Sequence, residues 1–325
     1  MTLSRRTTLQ TLFAAALPSA LHAQPAWPTR PIRLVVPFAA GGGPDVLARQ
    51  FLPRVGAALG TTAYVDNRVG AGGIIAAEHV AQQPGDGHTL LVGASSHITQ
   101  KLLKPNSAFD PVKSFRHVTR LSFSPSVLVV GADSPYRSLD DIVRAARAAP
   151  GRLNYGSGGI GSVAHFGGAA VVSHAKIDVV HIPYRGANEL FTALRSNDIA
   201  FTVITASSVV PMLESGSIRA LAVTSAQREP ALPNVPTLAE LTRDDDLTIV
   251  AWSGIWVPAA TPTAIVNALH AAFVKVYADP EIAKANAGIG VTMALSPNAA
   301  EFGDFVAAEM AKYARIVKAA KMDIS

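Results

Sequence analysis

The sequence predicts an α/β protein of two lobes, each built on a mostly parallel sheet flanked by helices. Three observations predict it. Short β-branched runs alternate with helical runs along most of the chain, the pattern of βαβ units with right-handed crossovers. Two glycine-rich loops hold the same place in separate alternating units, after a strand and before a helix. No low-complexity linker divides the 325 residues, as two domains joined end to end would require, so lobes connected by crossing strands fit better.

The first unit opens with a strand at Ile32 to Val36. Pro37-Phe38-Ala39-Ala40-Gly41-Gly42-Gly43-Pro44 ends it, and Asp45 to Leu59 reads as a helix. Thr62 to Val65 is a second strand. Gly70-Ala71-Gly72-Gly73 opens a helix to about Gln82, and Thr89 to Val92 is a third strand. The second unit begins near Val127 to Val130. Ser138 caps a helix that runs to Ala149 and stops at Pro150-Gly151. Leu153 to Tyr155 is a strand, and the loop Gly156-Ser157-Gly158-Gly159-Ile160-Gly161 leads into a helix from Ser162 to about Ser173. Strands at Val179 to Ile182, Ile199 to Val203 and Arg219 to Val223 and a helix at Ala187 to Arg195 complete the unit. In the proline-punctuated tail a short strand lies near Ile249 to Trp252, and helices at Pro262 to Ala278 and Ala299 to Ala320 close the chain.

The N-terminus has the layout of a bacterial secretory signal over residues 1–23. Arg5-Arg6 precedes an apolar run from about Leu12 to Leu21, and Ala23 is the expected cleavage point. The arginine pair suits the twin-arginine route or an ordinary signal. That run falls well short of the roughly 20 residues needed to span a bilayer, and no later segment reaches that length. There is no cysteine, hence no disulfide framework, lipidated Cys or thiol nucleophile. A net charge of +5, scattered and with few aromatics, makes no nucleic-acid stripe.

The two glycine-rich loops are the candidate ligand site. Without a Cβ the backbone turns sharply and lets a ligand approach its amides, and the helix behind each loop favours an anion. In open α/β sheets ligands bind beyond the carboxyl ends of the strands. Two such loops facing each other across a cleft would close on one dicarboxylate, or on the carboxylate and polar tail of one acid. His165, one turn into the helix after the second loop, is expected to point back to the cleft; Ser96 and His97, just past the third strand, are expected there too. Asp45 opens the first helix and is either a structural acid on the helix dipole or a group for a polar part of the ligand. Phe38 and Tyr184 are candidates for an apolar wall. Gly156-x-Gly158-x-x-Gly161 formally matches a dinucleotide fingerprint, but the acidic residue expected at the end of the next strand is missing. There is no Gly-x-Ser-x-Gly elbow, and the scattered histidines form no metal-ligand pair. No catalytic residue, metal or cofactor is therefore expected.

An ordered set of markers runs through nearly the whole mature sequence: Trp27-Pro28-x-Arg30-Pro31-Ile32, Pro37-Phe38 to Asp45, Asn67-Arg68-x-Gly70-Ala71-Gly72-Gly73, Phe109-Asp110-Pro111-Val112-Lys113, Leu153 to Ser157, His181-Ile182-Pro183-Tyr184-Arg185-Gly186, Arg219 to Ser225 and Leu232 to Thr237. In these the chain resembles the Bug-type receptors of tripartite tricarboxylate transporters. The resemblance implies a type II periplasmic-binding-protein fold and capture of a small carboxylate for membrane transporter subunits. The protein would be periplasmic and monomeric, with no catalysis and no nucleic-acid partner. It implies that amides of Ala40, Gly41 and Gly42 in one lobe, and of Ser157 to Gly161 (Ser157, Gly158, Gly159 and Gly161) in the other, hold the carboxylate, with His165 as the family's usual histidine. The lobes would be 24–124 with 225–325, and 125–224, crossing near Ser124-Pro125 and Thr224-Ser225. Two departures bear on the ligand. Ile204-Thr205 stands where members often carry Asp-Asn, and Pro44 where they often carry Ser or Thr. Thr205 is thus a candidate contact to the ligand's far end, and a less polar or aromatic acid is favoured over an amino acid. A ligand-presenting sensor partner and, more distantly, an exported hydrolase are the alternatives.

Overall fold

The computed structural model describes residues 27–41, 43–288 and 291–322; the expected export segment and Gly42 lie outside them. The first half runs β1 (Ile32–Val36), α1 (Gly43–Ala58), β2 (Ala63–Asn67), α2 (Ile74–Ala81), β3 (Thr89–Ala94), α3 (Ser95–Leu103), β4 (Phe115–Gly131), α4 (Leu139–Ala148), β5 (Leu153–Ser157) and α5 (Val163–Ala175). Then come β6 (Val179–Pro183), α6 (Ala187–Arg195), β7 (Phe201–Thr205), α7 (Ala206–Glu214), β8 (Ile218–Val223), α8 (Leu238–Thr242), β9 (Val250–Pro258), α9 (Thr263–Tyr277), α10 (Pro280–Gly288), β10 (Thr292–Met293) and α11 (Ala299–Ala319). The expected elements are all present, within a few residues at their ends. The structure adds α3, α7, α8, α10, β10 and the first half of β4.

The strands are hydrogen-bonded in the order β2-β1-β3-β9-β4-β7-β5-β6, with β8 and β10 also on β4. The sheet is mixed rather than mostly parallel. β2, β1 and β3 run parallel at one end and β6, β5 and β7 at the other, while every pairing of β4 and β9 is antiparallel. β4 joins the two ends. Its residues 115–125 pair with β9, and from Ser126 onward it pairs with β7 and β8. Thr224 fastens this change of partner. Its backbone N–H and its Oγ1 both bond the carbonyl of Ser126, its Oγ1 accepts from the Ser126 N–H at 3.0 Å, and it also donates to the carbonyl of Ile249 just ahead of β9.

The core follows this division. Ile32, Leu34, Val36, Phe51, Leu52, Val266 and Phe273 seal β1 against α1 and α9. Val127, Val129, Leu190, Leu194 and Ile204 seal the opposite end against α6. A third cluster is shared: Leu91, Ile98 and Trp256 belong to it with Tyr155, Phe166 and Phe201. In it α11 lays Tyr313 edge-on against Phe166 of α5 at 5.2 Å. Removing these large side chains from water is the main force holding the two ends together.

Candidate functional site

In a parallel βα unit the helix starts at the carboxyl end of the preceding strand, so its free N–H groups gather on one side of the sheet. Here the starts of four helices gather around one cavity of about 420 Å³. Pro44 of α1, Ser95 and Ser96 of α3, Val163 of α5 and Ser207 of α7 all line it. Phe38, Leu47, Trp252 and Val291 supply apolar wall, and Ser122, Ser124 and Ser253 add hydroxyls. None of the described lining residues is charged. Positive potential here comes from helix ends and not from lysine or arginine. The Trp252 indole N–H is already spent on Glu309 at 2.9 Å, so the ring offers the cavity only apolar surface. Ser122 and Ser253 satisfy each other at 2.7 Å across β4 and β9. The Ser96 hydroxyl, by contrast, is buried with no partner among the described residues. A larger hollow, about 610 Å³, lies elsewhere, between α4 and the Asn234–Pro236 turn, and meets these elements only at the far end of α5, at His174 and Ala175.

The first glycine-rich loop is braced from inside by Asp45. This carboxylate is 1 % exposed and accepts from the Gly41 N–H at 2.8 Å, Arg49 Nε at 3.0 Å and Asn67 Nδ2 at 2.8 Å. Those bonds, Arg49 foremost, pull its pKa down to about 2, against the cost of burial. Asp45 is therefore a loop brace with its charge matched by Arg49. Gly41 sits at φ +79°, exposed, with nothing within 4 Å of where a Cβ would stand. Its amide goes to Asp45, while the Ala40 amide has no protein partner among the described residues. Phe38, two residues before Ala40, is on the cavity wall.

The second loop is braced by neutral rings. Ser162 Oγ accepts the His165 N–H at 3.2 Å, and the His165 ring returns the favour by accepting the Gly161 N–H on Nδ1 at 3.2 Å. That exchange resembles a capping box with imidazole in place of Glu. His165 stacks on His181 at 3.9 Å, which lies against Tyr155 at 4.9 Å. His181 Nε2 is 2.7 Å from Ser157 Oγ, which in turn bonds the carbonyl and N–H of Gly159. Burial pushes both histidines down to about 4, with their mutual repulsion adding for His165. Ser157 is fully buried, so its contact with His181 holds the loop shape rather than presenting a nucleophile. Gly158 is exposed, and neither its amide nor that of Ile160 meets a protein partner among the described residues. The loop rests on the Tyr184–Gly186 turn, where the Tyr184 N–H donates to Ser157 O at 2.8 Å. It is also fastened to α3, since Thr99 Oγ1 donates to Gly161 O at 2.8 Å.

Of the residues singled out in the sequence, Phe38 and Ser96 line the cavity, and Ala40, Gly158 and Gly159 lie on the two loops flanking it. His97 does not face it. Its ring is fully buried against Trp256 and Phe109, with Nδ1 accepting from the Ala94 N–H at 3.0 Å, and burial holds it down to about 4. Asp45, Ser157, Gly161 and His165 are spent on internal bonds. Tyr184 packs beside β5 and α6, and Thr205 pairs with Ser208 at 3.1 Å. Sequence reasoning missed Leu47, Ser122, Ser124, Val163, Ser207, Trp252 and Ser253. The available signal was Ser95-Ser96 and Ser207-Ser208, small polar pairs directly after apolar runs, which is where a helix starts.

The sequence profile of the family described as "Tripartite tricarboxylate transporter family receptor" matches residues 47–322. A "UPF0065 protein in tcbD-tcbE intergenic region" of Pseudomonas sp. (strain P51) is 34% identical over 294 residues, covering 90% of this chain and 88% of its own. Among solved structures, a TctC solute binding protein from Polaromonas superposes with a TM-score of 0.79 at 30% identity, covering 90% of this chain and 99% of that one. The R. palustris protein Rpa4515 with adipate gives 0.74 at 31% identity, covering 91% and 98%.

Proposed function

Given that this chain belongs to the tripartite tricarboxylate transporter receptor family, we propose that it is exported to the periplasm, captures a small carboxylate between its lobes and presents it to membrane transporter subunits. It acts as a receptor and not as an enzyme. One observation carries the reading: four helix starts open on a single cavity whose wall holds no charged side chain among the described residues. Such a site attracts an anion through backbone dipoles and offers no counter-charge that would lock it in place. The carboxylate is held by the unpartnered Ser96 hydroxyl, by first-turn amides and by the open Ala40 and Gly158 amides at the rim. The adipate held by the R. palustris relative supports the ligand class. Export rests on the Arg5-Arg6 start and the apolar run before Ala23, and no helix among the described residues is long and apolar enough to cross a membrane.

The test is a thermal-shift screen of the purified protein against a library of small carboxylates. A matching acid at a hundred times its Kd stabilises the protein by about 2.7 kcal/mol, a melting-point rise of several degrees. Ser96→Ala should weaken that acid about tenfold without lowering the unliganded melting point. A library with no shift at all would end the proposal.

A further inference from the structure

The cavity does not end at Ser207 and Val291. Both residues also line a second hollow of about 710 Å³ between α7 and β10. Its wall is mostly aliphatic, with Val210 and Pro211 of α7, Pro230 and Leu232 of the loop after β8, and Met293 of β10, beside the hydroxyls of Ser207 and Thr292. Glu229 is the one charged residue among its described lining residues. The cavity itself has room for a ligand of ordinary metabolite size, and the hollow extends it in one direction only, past the start of α7.

From this geometry we infer that the ligand is a monocarboxylate with an extended apolar body. Its head sits among the helix starts, and its tail passes Ser207 and Val291 into the groove between α7 and β10. The inference deepens the proposed carboxylate capture and rests on it. Three features select against a second carboxylate. Among the described residues the cavity has no cationic side chain to meet it, the groove offers it only the Ser207 and Thr292 hydroxyls, and Glu229 would repel it. An aliphatic tail gains on the same walls, because each methylene moved from water to apolar surface favours binding.

Calorimetric titration of the purified chain with straight-chain monocarboxylates from butanoate to decanoate, and with adipate, suberate and sebacate, tests this directly. Affinity should rise about fourfold per methylene until the groove is full, and each dicarboxylate should bind at least tenfold more weakly than the monocarboxylate of equal length. Val210→Trp should fill the groove, costing octanoate tenfold or more while leaving butanoate unchanged. Glu229→Lys should bring suberate up to the level of octanoate. Affinity flat with length, or dicarboxylates preferred by the unaltered protein, would overturn the extended site while leaving carboxylate capture standing. Failure of every acid to bind would remove both.

Discussion

The two glycine-rich loops solve one problem with opposite chemistry. Each must hold a tight backbone turn ahead of a helix. The first does so with a buried charge: Asp45 gathers Gly41, Arg49 and Asn67. The second uses no charge at all, only Ser157, Ser162 and the stacked rings of His165 and His181. Their surroundings also differ. Gly41 and Gly161 share nearly the same backbone angle, φ +79° and +80°, yet the first has open space beside it and the second would drive a Cβ to 2.4 Å from Gln100 Nε2. Gly72 makes room for that same glutamine from the other side, at 2.6 Å. So α3 is seated between two glycine turns. A positive φ explains why both positions are glycine, but only at Gly161 is the missing Cβ also an interface.

Breaking the charged brace should have the largest effect. Asp45→Ala leaves the Gly41 N–H without its acceptor and takes one of two acceptors each from Asn67 Nδ2, which keeps Phe38 O, and from Arg49, which keeps Asn67 Oδ1, for a loss of about 3 kcal/mol. The urea midpoint should fall accordingly at every pH from 5 to 8, and acid binding should weaken with it. Asp45→Asn, which keeps one acceptor oxygen, should lose about half as much. Equal stability of Asp45→Ala and the parent would show that the first loop is held by something other than its carboxylate.

The matched glycines come next. Gly41→Ala should cost about 1 kcal/mol, the penalty of a left-handed alanine. Gly161→Ala should cost about twice that, since the methyl must also displace Gln100. Adding Gln100→Ala to Gly161→Ala should recover the difference and bring the two glycine sites level. If the single variants already cost the same in chemical denaturation, the α3 contact contributes nothing at Gly161.

How much of this was legible in the sequence depends on which residues carried a local signal. Both loops were, because runs such as Gly41-Gly42-Gly43 have no other economical use between a strand and a helix. The outer parallel strands were equally plain, as short β-branched runs. The start of β4 was not: from Arg116 to Ser126 apolar residues are interleaved with Arg, Thr and Ser, and only the chain reaching across to β9 makes those positions a buried strand. That hid Ser122 and Ser124. Helix α7 was hidden because Ser207, Ser208 and Pro211 interrupt the apolar run that begins at Ile199, although a proline in so short a helix is tolerated. His97 misled for a tertiary reason. Its place after β3 suggested a cleft, but the room left by Gly73 takes its ring into the core, where a Cβ on Gly73 would stand 2.9 Å from Nε2. Sequence position gives a side chain's address but not the direction it points.

The smallest expected effect separates the two braces by pH. His165 and His181 titrate at about 4 in the fold against an ordinary 6.5, so on acidification the unfolded chain takes up protons first. Their contribution to stability is complete above about 6.5 and drains away as the pH falls toward 4. Asp45, at about 2 against 3.8, gives nothing up until the pH drops below about 4. The second loop should therefore loosen first. His97 and His117 are also held down to about 4 by burial, so the protein keeps part of its acid sensitivity whatever happens at the loop. The informative comparison is the melting point of the parent and of His165→Gln/His181→Gln between pH 7 and pH 4.5. The glutamine carbonyl at 165 can still accept from Gly161, and neither replacement titrates. The variant should start lower, because the stacked rings are gone, and lose about 2–4 °C less than the parent over that range. Asp45→Asn should follow the parent's slope there and depart from it only below pH 4. Parallel curves for the parent and the histidine variant would mean that the two rings titrate alike in the folded and the unfolded chain, and the acid sensitivity of the fold would then come from elsewhere.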